Sequence, residues 1–196
     1  MKADIKPGAT FPDYELPDGD GHKHRLSDLQ GGDPLALVLA RGGYCPKENW
    51  QHRWMAAMQE EIVVGYCRLV TISTDSVLAS NEWRQRLGAH WPFLSDTART
   101  VQRDIDIAEY TDPEHNPMIP HTIFLKPGLI VHSIYDGYWY WGRPTPEELR
   151  QNFRELTHEC RPDWDLSAPG LRPRWDAGER DPFFPYGHPE KQRAED

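Results

Sequence analysis

The chain has 196 residues, enough for one domain of ordinary size with length to spare, and 38% of them are hydrophobic against 27% charged. Against 31 acidic residues stand 22 basic ones, a net charge of −9, so the averaged field repels nucleic acid and anionic membrane surfaces, and neither is an expected partner. No apolar run approaches the ~18 residues of a membrane span, and Met-Lys-Ala-Asp-Ile-Lys-Pro at the N-terminus lacks a secretory apolar stretch, so the expected location is cytoplasmic.

In chain order, Asp18-Gly19-Asp20-Gly21 separates Tyr14-Glu15-Leu16 from His22-Lys23-His24-Arg25-Leu26 and predicts an N-terminal β-hairpin. Leu35-Ala36-Leu37-Val38-Leu39-Ala40 is a continuous apolar run of strand length, which predicts a central strand buried on both faces. Pro46 suits the first turn of a helix whose formers continue to residue 62. A second central strand is expected over 67–74, a helix over 77–87 and a shorter helical piece over 98–105. Residues 121–125 and 129–135, divided by Lys126-Pro127-Gly128, predict an antiparallel hairpin, and a last helix over 146–158 takes Thr145 as its N-cap. The alternation gives an α/β domain over 1–160, a central sheet with helices on both faces. Residues 161–196 hold six of the 18 prolines mixed with Trp, Phe and charge, and are expected to form an ordered but irregular C-terminal extension.

Three cysteines, Cys45, Cys67 and Cys160, are too few for a disulfide scaffold, so each is either packing or chemistry. Cys45 stands at a strand-to-helix turn, where backbone N–H groups and the helix dipole favour a negatively charged sulfur, the reactive form. Gly42 and Gly43 leave room for a substrate beside the backbone, and Arg41 adds a positive charge near the sulfur. Cys67 lies within an apolar strand and reads as packing.

The block Gly8-Ala9-Thr10-Phe11-Pro12-Asp13, then Leu26-Ser27-Asp28-Leu29, then an apolar strand running into Cys45-Pro46 resembles the opening of peroxiredoxins of the alkyl hydroperoxide reductase and thiol-specific antioxidant family. Phe93-Leu94-Ser95-Asp96 also resembles that family, and Ile119-Pro120-His121-Thr122 resembles the thioredoxin segment in which a cis-proline opens a strand. The resemblance spans residues 8–158 and implies a thioredoxin-like fold of the peroxiredoxin type. It implies that Cys45 is a redox nucleophile that reduces peroxides or exchanges with disulfides. The reductant would be a small thiol or a thioredoxin-like protein, with no bound cofactor. Pro120 would shape a loop facing Cys45, His121 would be an auxiliary acid or base, and Cys160 would be a candidate resolving cysteine. The family motif usually places a Pro seven residues and a Thr or Ser three residues before the cysteine; this chain has Val38 and Gly42 there. Glu48 stands where a Cys-x-x-Cys pair would need its second sulfur.

Two other classes of function stay open at this point. Cys45, Glu48 and His52 at i, i+3 and i+7 could line one helix face as metal ligands, with His22 and His24 recruited to complete the set. A thioredoxin-fold binding module without turnover would instead use the aromatic run Tyr135, Tyr138, Trp139, Tyr140 and Trp141. Eight Trp and eight Tyr in the chain suggest surfaces for self-association as well as core, which leaves a homodimer open.

Overall fold

The computed structural model describes residues 1–137, 140–162 and 165–183, and the chain divides into two compact units, Met1–Phe153 and Arg154–Asp196. Tyr138 and Trp139 of the aromatic run lie outside the described residues.

The first unit opens on the expected hairpin, β1 (Glu15–Pro17) antiparallel to β2 (Lys23–Arg25). Its turn is held by Asp18, whose carboxylate accepts from the backbone N–H groups of Asp20 and His22 at 2.9 and 3.0 Å. Leu26 does not extend β2; it begins the short helix α1 (Leu26–Gln30). The remaining elements are β3 (Leu35–Ala40), α2 (Pro46–Val64), β4 (Arg68–Ser73), α3 (Val77–Leu87), β5 (Phe93–Ser95), α4 (Thr100–Asp104), β6 (His121–Lys126), β7 (Ile130–Asp136) and α5 (Pro146–Cys160). The divide between the two units falls inside α5. In the second unit α6 (Leu171–Asp176) leads to a turn where the Trp175 and Phe183 rings meet edge to face at 5.3 Å.

The five strands are ordered β5-β4-β3-β6-β7, with β3 parallel to β4 and antiparallel to β6. All six β3 residues are buried, as their unbroken apolar run predicts. Alternation sends Leu35, Leu37 and Leu39 into one core with Val70, Ile72, Ile123 and Leu125, where Leu26 of α1 and Val101 and Ile105 join them. The intervening residues face α2: Gln51 donates to the Thr122 hydroxyl at 3.1 Å, and His52 Nε2 lies 3.1 Å from the Thr71 hydroxyl. Near the far edge, Phe124 packs edge to face on Phe153 of α5 at 5.5 Å.

Helix ends fall where the local chemistry places them. Ser76 accepts from the Ala79 N–H at 3.2 Å and Gly88 closes α3 with φ +63°, so that helix occupies the predicted residues. Thr145 and Glu148 form a reciprocal capping box, Glu148 N–H to Thr145 Oγ1 at 3.2 Å and Thr145 N–H to Glu148 Oε2 at 2.7 Å. One expectation is corrected: among the described residues no peptide bond is cis, including the bond before Pro120. Ile119 N–H bonds the Ile107 carbonyl at 2.6 Å and the Pro120 carbonyl accepts from Gly137 N–H at 2.8 Å, so the extended backbone runs straight into β6 and a trans peptide continues it.

Candidate active site

The site lies at the C-terminal end of β3, where the chain turns through Arg41-Gly42-Gly43-Tyr44 into α2. Cys45 is the N-cap of that helix and Pro46 fills its first turn. The Cys45 carbonyl accepts the first helical bond from Asn49 N–H at 3.1 Å, and the Cys45 N–H bonds back to the Gly42 carbonyl at the same distance. The residue is only 2% exposed. Arg41 Nη1 lies 3.8 Å from Cys45 Sγ, so the guanidinium expected beside the sulfur is there.

Arg41 is itself held from the other side. Its Nε is 2.7 Å from Glu109 Oε2, and its Nη2 donates to Glu109 Oε1 at 3.2 Å and to Asp112 Oδ2 at 3.0 Å. Partial burial alone would lower the Arg41 pKa, but Tyr44, Glu109 and Cys45 outweigh it and raise the value, which keeps the cation in place. Tyr44 donates to Asp112 Oδ2 at 3.0 Å and its ring stacks on His115 at 3.6 Å. Hydrogen bonds from the His115 backbone and side chain, followed by the Tyr44 hydroxyl, push the Asp112 carboxyl down to about 2.

The turn needs its glycines. Gly42 has φ +127°, and a Cβ there would come within 2.5 Å of the Asp75 carboxylate; a Cβ on Gly43 would come within 2.8 Å of Trp83. Asp75 accepts the Gly43 N–H at 2.8 Å, while burial raises its pKa. Asn49 reaches back from the first turn of α2 to the Gly43 and Cys45 carbonyls at 2.8 and 2.9 Å, and its own oxygen accepts from Trp83 Nε1 at 3.1 Å.

Beneath the turn Glu48 is fully buried and ion-paired to Arg143, whose Nη1 also donates to the Gly137 carbonyl at 2.7 Å. Behind Glu48, His52 Nδ1 donates to the Glu48 carbonyl at 2.9 Å, which leaves Nε2 as the acceptor of the Thr71 hydroxyl. Trp91 Nε1 in turn donates to Thr71 at 3.0 Å. Burial lowers the His52 pKa, against an upward pull from Glu48. The metal reading of Cys45, Glu48 and His52 is thereby corrected: Arg143 takes the carboxylate, both imidazole nitrogens are engaged, and the sulfur faces Arg41. Among the described residues the one cluster with metal-ligand spacing is Asp18, Asp20 and His22, exposed or half-buried at the hairpin turn.

His121 is not brought against Cys45 by any hydrogen bond. It pairs with Leu39 across the sheet, shares the alternation of Ile123 and Leu125 away from α2, and its Nδ1 lies 2.8 Å from the Ile119 carbonyl. Burial lowers its pKa. Cys67 is buried with its Sγ 3.4 Å from the Gly65 carbonyl, and Cys160, at the end of α5 in the second unit, is half-buried. Glu109, Asp112, Asp75, Asn49 and Arg143 are the site residues that sequence reasoning missed. A signal existed for Asn49 alone, a short polar residue in a helix's first turn.

A family model described as AhpC/TSA family matches residues 7–134. Rv1608c of Mycobacterium tuberculosis, which carries a peroxiredoxin name, is 34% identical over 100 residues, a stretch that covers 50% of this chain and 63% of that protein. The chain thus spans less than two thirds of the curated relatives it matches. Peroxidoxin BcpB from Mycobacterium tuberculosis superposes with a TM-score of 0.67 at 22% identity, over 78% of this chain and 96% of that one. A yeast mitochondrial 1-Cys peroxiredoxin, studied for its thiol resolving mechanism via glutathione/thioredoxin systems, gives 0.69 at 18% identity, over 79% and 78%. These two likenesses establish the peroxiredoxin type of thioredoxin fold, and the family model covers well over half of the sequence. The chain belongs to the AhpC/TSA family.

Proposed function

We propose that this protein reduces peroxides at Cys45 with electrons from thiols. The observation that carries the reading is the position of the Cys45 sulfur, at the N-cap of a 19-residue helix with the Arg41 guanidinium 3.8 Å away. A helix N-terminus and a cation together favour the thiolate, the nucleophilic form of cysteine. The thiolate attacks one peroxide oxygen; an S–O bond forms, the O–O bond breaks, and the departing oxygen takes a proton as water or an alcohol. Sulfur loses two electrons and becomes a sulfenic acid, and the peroxide gains them. One external thiol then condenses with the sulfenic acid, releasing water and leaving a mixed disulfide. A second thiol attacks that disulfide, restores Cys45 and departs oxidised.

Arg41 offers Nη1 to the sulfur and to the oxygen developing charge beside it, while Glu109 and Asp112 fix the guanidinium plane. The reductant is a small thiol or a thioredoxin-like protein, of the kind a cytoplasmic location supplies. The yeast relative's route through glutathione and thioredoxin supports this choice.

The test is intact-mass analysis after one equivalent of hydrogen peroxide, together with thiol-dependent peroxide consumption. Wild type should gain one oxygen on the peptide holding Cys45 and consume peroxide; Cys45→Ser should do neither. Equal consumption by both proteins would overturn the reading.

A further inference from the structure

Between Arg41 and Cys45 the chain passes through two consecutive glycines, and neither position has room for a side chain. A Cβ on Gly42 would lie 2.5 Å from Asp75 Oδ1, and one on Gly43 would lie 2.8 Å from Trp83. Glycine has the widest backbone freedom of any residue, so nothing local holds the sulfur at a fixed place relative to the strand end. Arg41 is fixed independently, by Glu109 and Asp112. The 3.8 Å approach of its Nη1 to Cys45 Sγ therefore depends on groups that pin the turn from outside.

Two side chains do so, on successive peptide planes. Asp75, in the loop between β4 and α3, accepts the Gly43 N–H at 2.8 Å and fixes the plane before Gly43. Asn49 donates to the Gly43 carbonyl at 2.8 Å, which fixes the plane after it, and to the Cys45 carbonyl at 2.9 Å with the same amide. An indole N–H can only donate, and Trp83 Nε1 lies 3.1 Å from Asn49 Oδ1, so Nδ2 faces the two carbonyls. Arg86 Nη2 adds to the hold from the exposed side, 3.3 Å from the Gly43 carbonyl and 3.4 Å from Asn49 Oδ1. With both planes held, φ and ψ of Gly43 are set, although the residue offers no side chain of its own.

We propose that Asp75 and Asn49 are positioning residues that hold the Cys45 sulfur against the Arg41 guanidinium. The inference rests on the reading of Cys45 as the nucleophile and assigns what keeps it in place. Both side chains act through the backbone, Asp75 as a hydrogen-bond acceptor and Asn49 as a double donor, so the charge of Asp75 is not what the turn requires. Losing either tether lets the sulfur move off the guanidinium, and the cost appears only while Arg41 is there to be faced.

Cys45 oxidation by hydrogen peroxide is followed by rapid quench and mass analysis in wild type, Asp75→Ala, Asp75→Asn and Asn49→Ala, each also in an Arg41→Met background. Asp75→Ala and Asn49→Ala should each slow the reaction about tenfold, the low end for losing a hydrogen bond to a charged group. Asp75→Asn should regain most of that loss, because an amide oxygen still accepts the Gly43 N–H. In the Arg41→Met background each Ala substitution should cost less than about twofold, since the contact it protects is already gone. A merely structural role would repeat the tenfold drop there, and such additivity overturns the inference. An unchanged or faster reaction in either Ala variant overturns it too, as does an Asp75→Asn variant as slow as Asp75→Ala. Asn49→Ala keeps a strong helix former in the first turn of α2, so it decides the matter even if Asp75→Ala fails to fold. If hydrogen peroxide leaves wild-type Cys45 untouched, the peroxide reading falls by itself, and the same rate ratios measured with iodoacetamide, which asks only for a nucleophilic sulfur, decide this inference.

Discussion

Arg41 Nη1 sits 3.8 Å from Cys45 Sγ across the four-residue turn that joins β3 to α2. The contact joins the residue that follows a buried strand to the N-cap of a long helix, so the sulfur's charge partner is set by the backbone path itself. Burial of Cys45 strengthens the interaction, since little water reaches the sulfur to compete with the guanidinium.

Arg41→Met should slow Cys45 oxidation by hydrogen peroxide by roughly 10- to 100-fold, the value of one hydrogen bond to a charged group. Arg41→Lys should recover only part of the rate, because an ammonium cannot fill two carboxylates and face the sulfur at once. Stopped-flow oxidation at fixed pH reads both. A methionine variant that reacts at the wild-type rate would remove Arg41 from the chemistry.

The Glu48–Arg143 pair should matter more to the fold than its surface counterparts do. Arg143→Met leaves a fully buried carboxylate without its cation and should cost about 3–5 kcal/mol, whereas adding Glu48→Gln should return part of that loss. Urea unfolding of the two single variants and the double variant measures it. Additive losses would show that the two side chains act independently.

Stability should fall on mild acidification, and His52 should carry part of the fall. Its pKa in the fold lies below the ordinary value of 6.5, through burial first, so the unfolded chain takes the proton sooner. The neutral ring's contribution is complete above 6.5 and is lost progressively as pH drops below it. His121 has a lowered pKa too and adds in the same direction. The urea midpoint of wild type should therefore drop between about pH 7 and about pH 5, and His52→Gln should flatten that dependence. Parallel curves for the two proteins would assign the effect to other groups.

Cys160→Ser decides how the sulfenic acid is recycled. On a one-cysteine route the variant keeps its turnover with a small thiol reductant. A resolving role would leave it arrested as sulfenic or overoxidised acid, with the wild-type disulfide missing from a non-reducing gel. The one-cysteine outcome is expected, because the family resemblance is all that points to Cys160 as a resolving sulfur. Cys67→Ser should leave turnover intact apart from a loss of stability.

The backbone plan and the place of Cys45 at a helix N-terminus were legible in the sequence by itself. The unbroken apolar run 35–40, the proline after Cys45, and the cap residue Thr145 are local signals, each decided by neighbours a few residues away. They place β3, α2 and the start of α5, and they put Cys45 at a helix N-terminus. Arg41, four residues earlier, belongs to the same local signal. What surrounds the sulfur was settled by tertiary structure alone. Glu109 and Asp112 come from a polar loop 68 and 71 residues beyond Arg41, and Arg143 lies 95 residues from Glu48, with no periodicity to announce either meeting. Glu48 and His52 read as a solvated or metal-binding face because polar residues at helical spacing usually face water. They are buried because the sheet offers Thr71 as a partner to the imidazole and Arg143 neutralises the carboxylate. Burying a polar group is tolerable only when another part of the chain supplies the matching atom, and only the assembled fold determines whether it does.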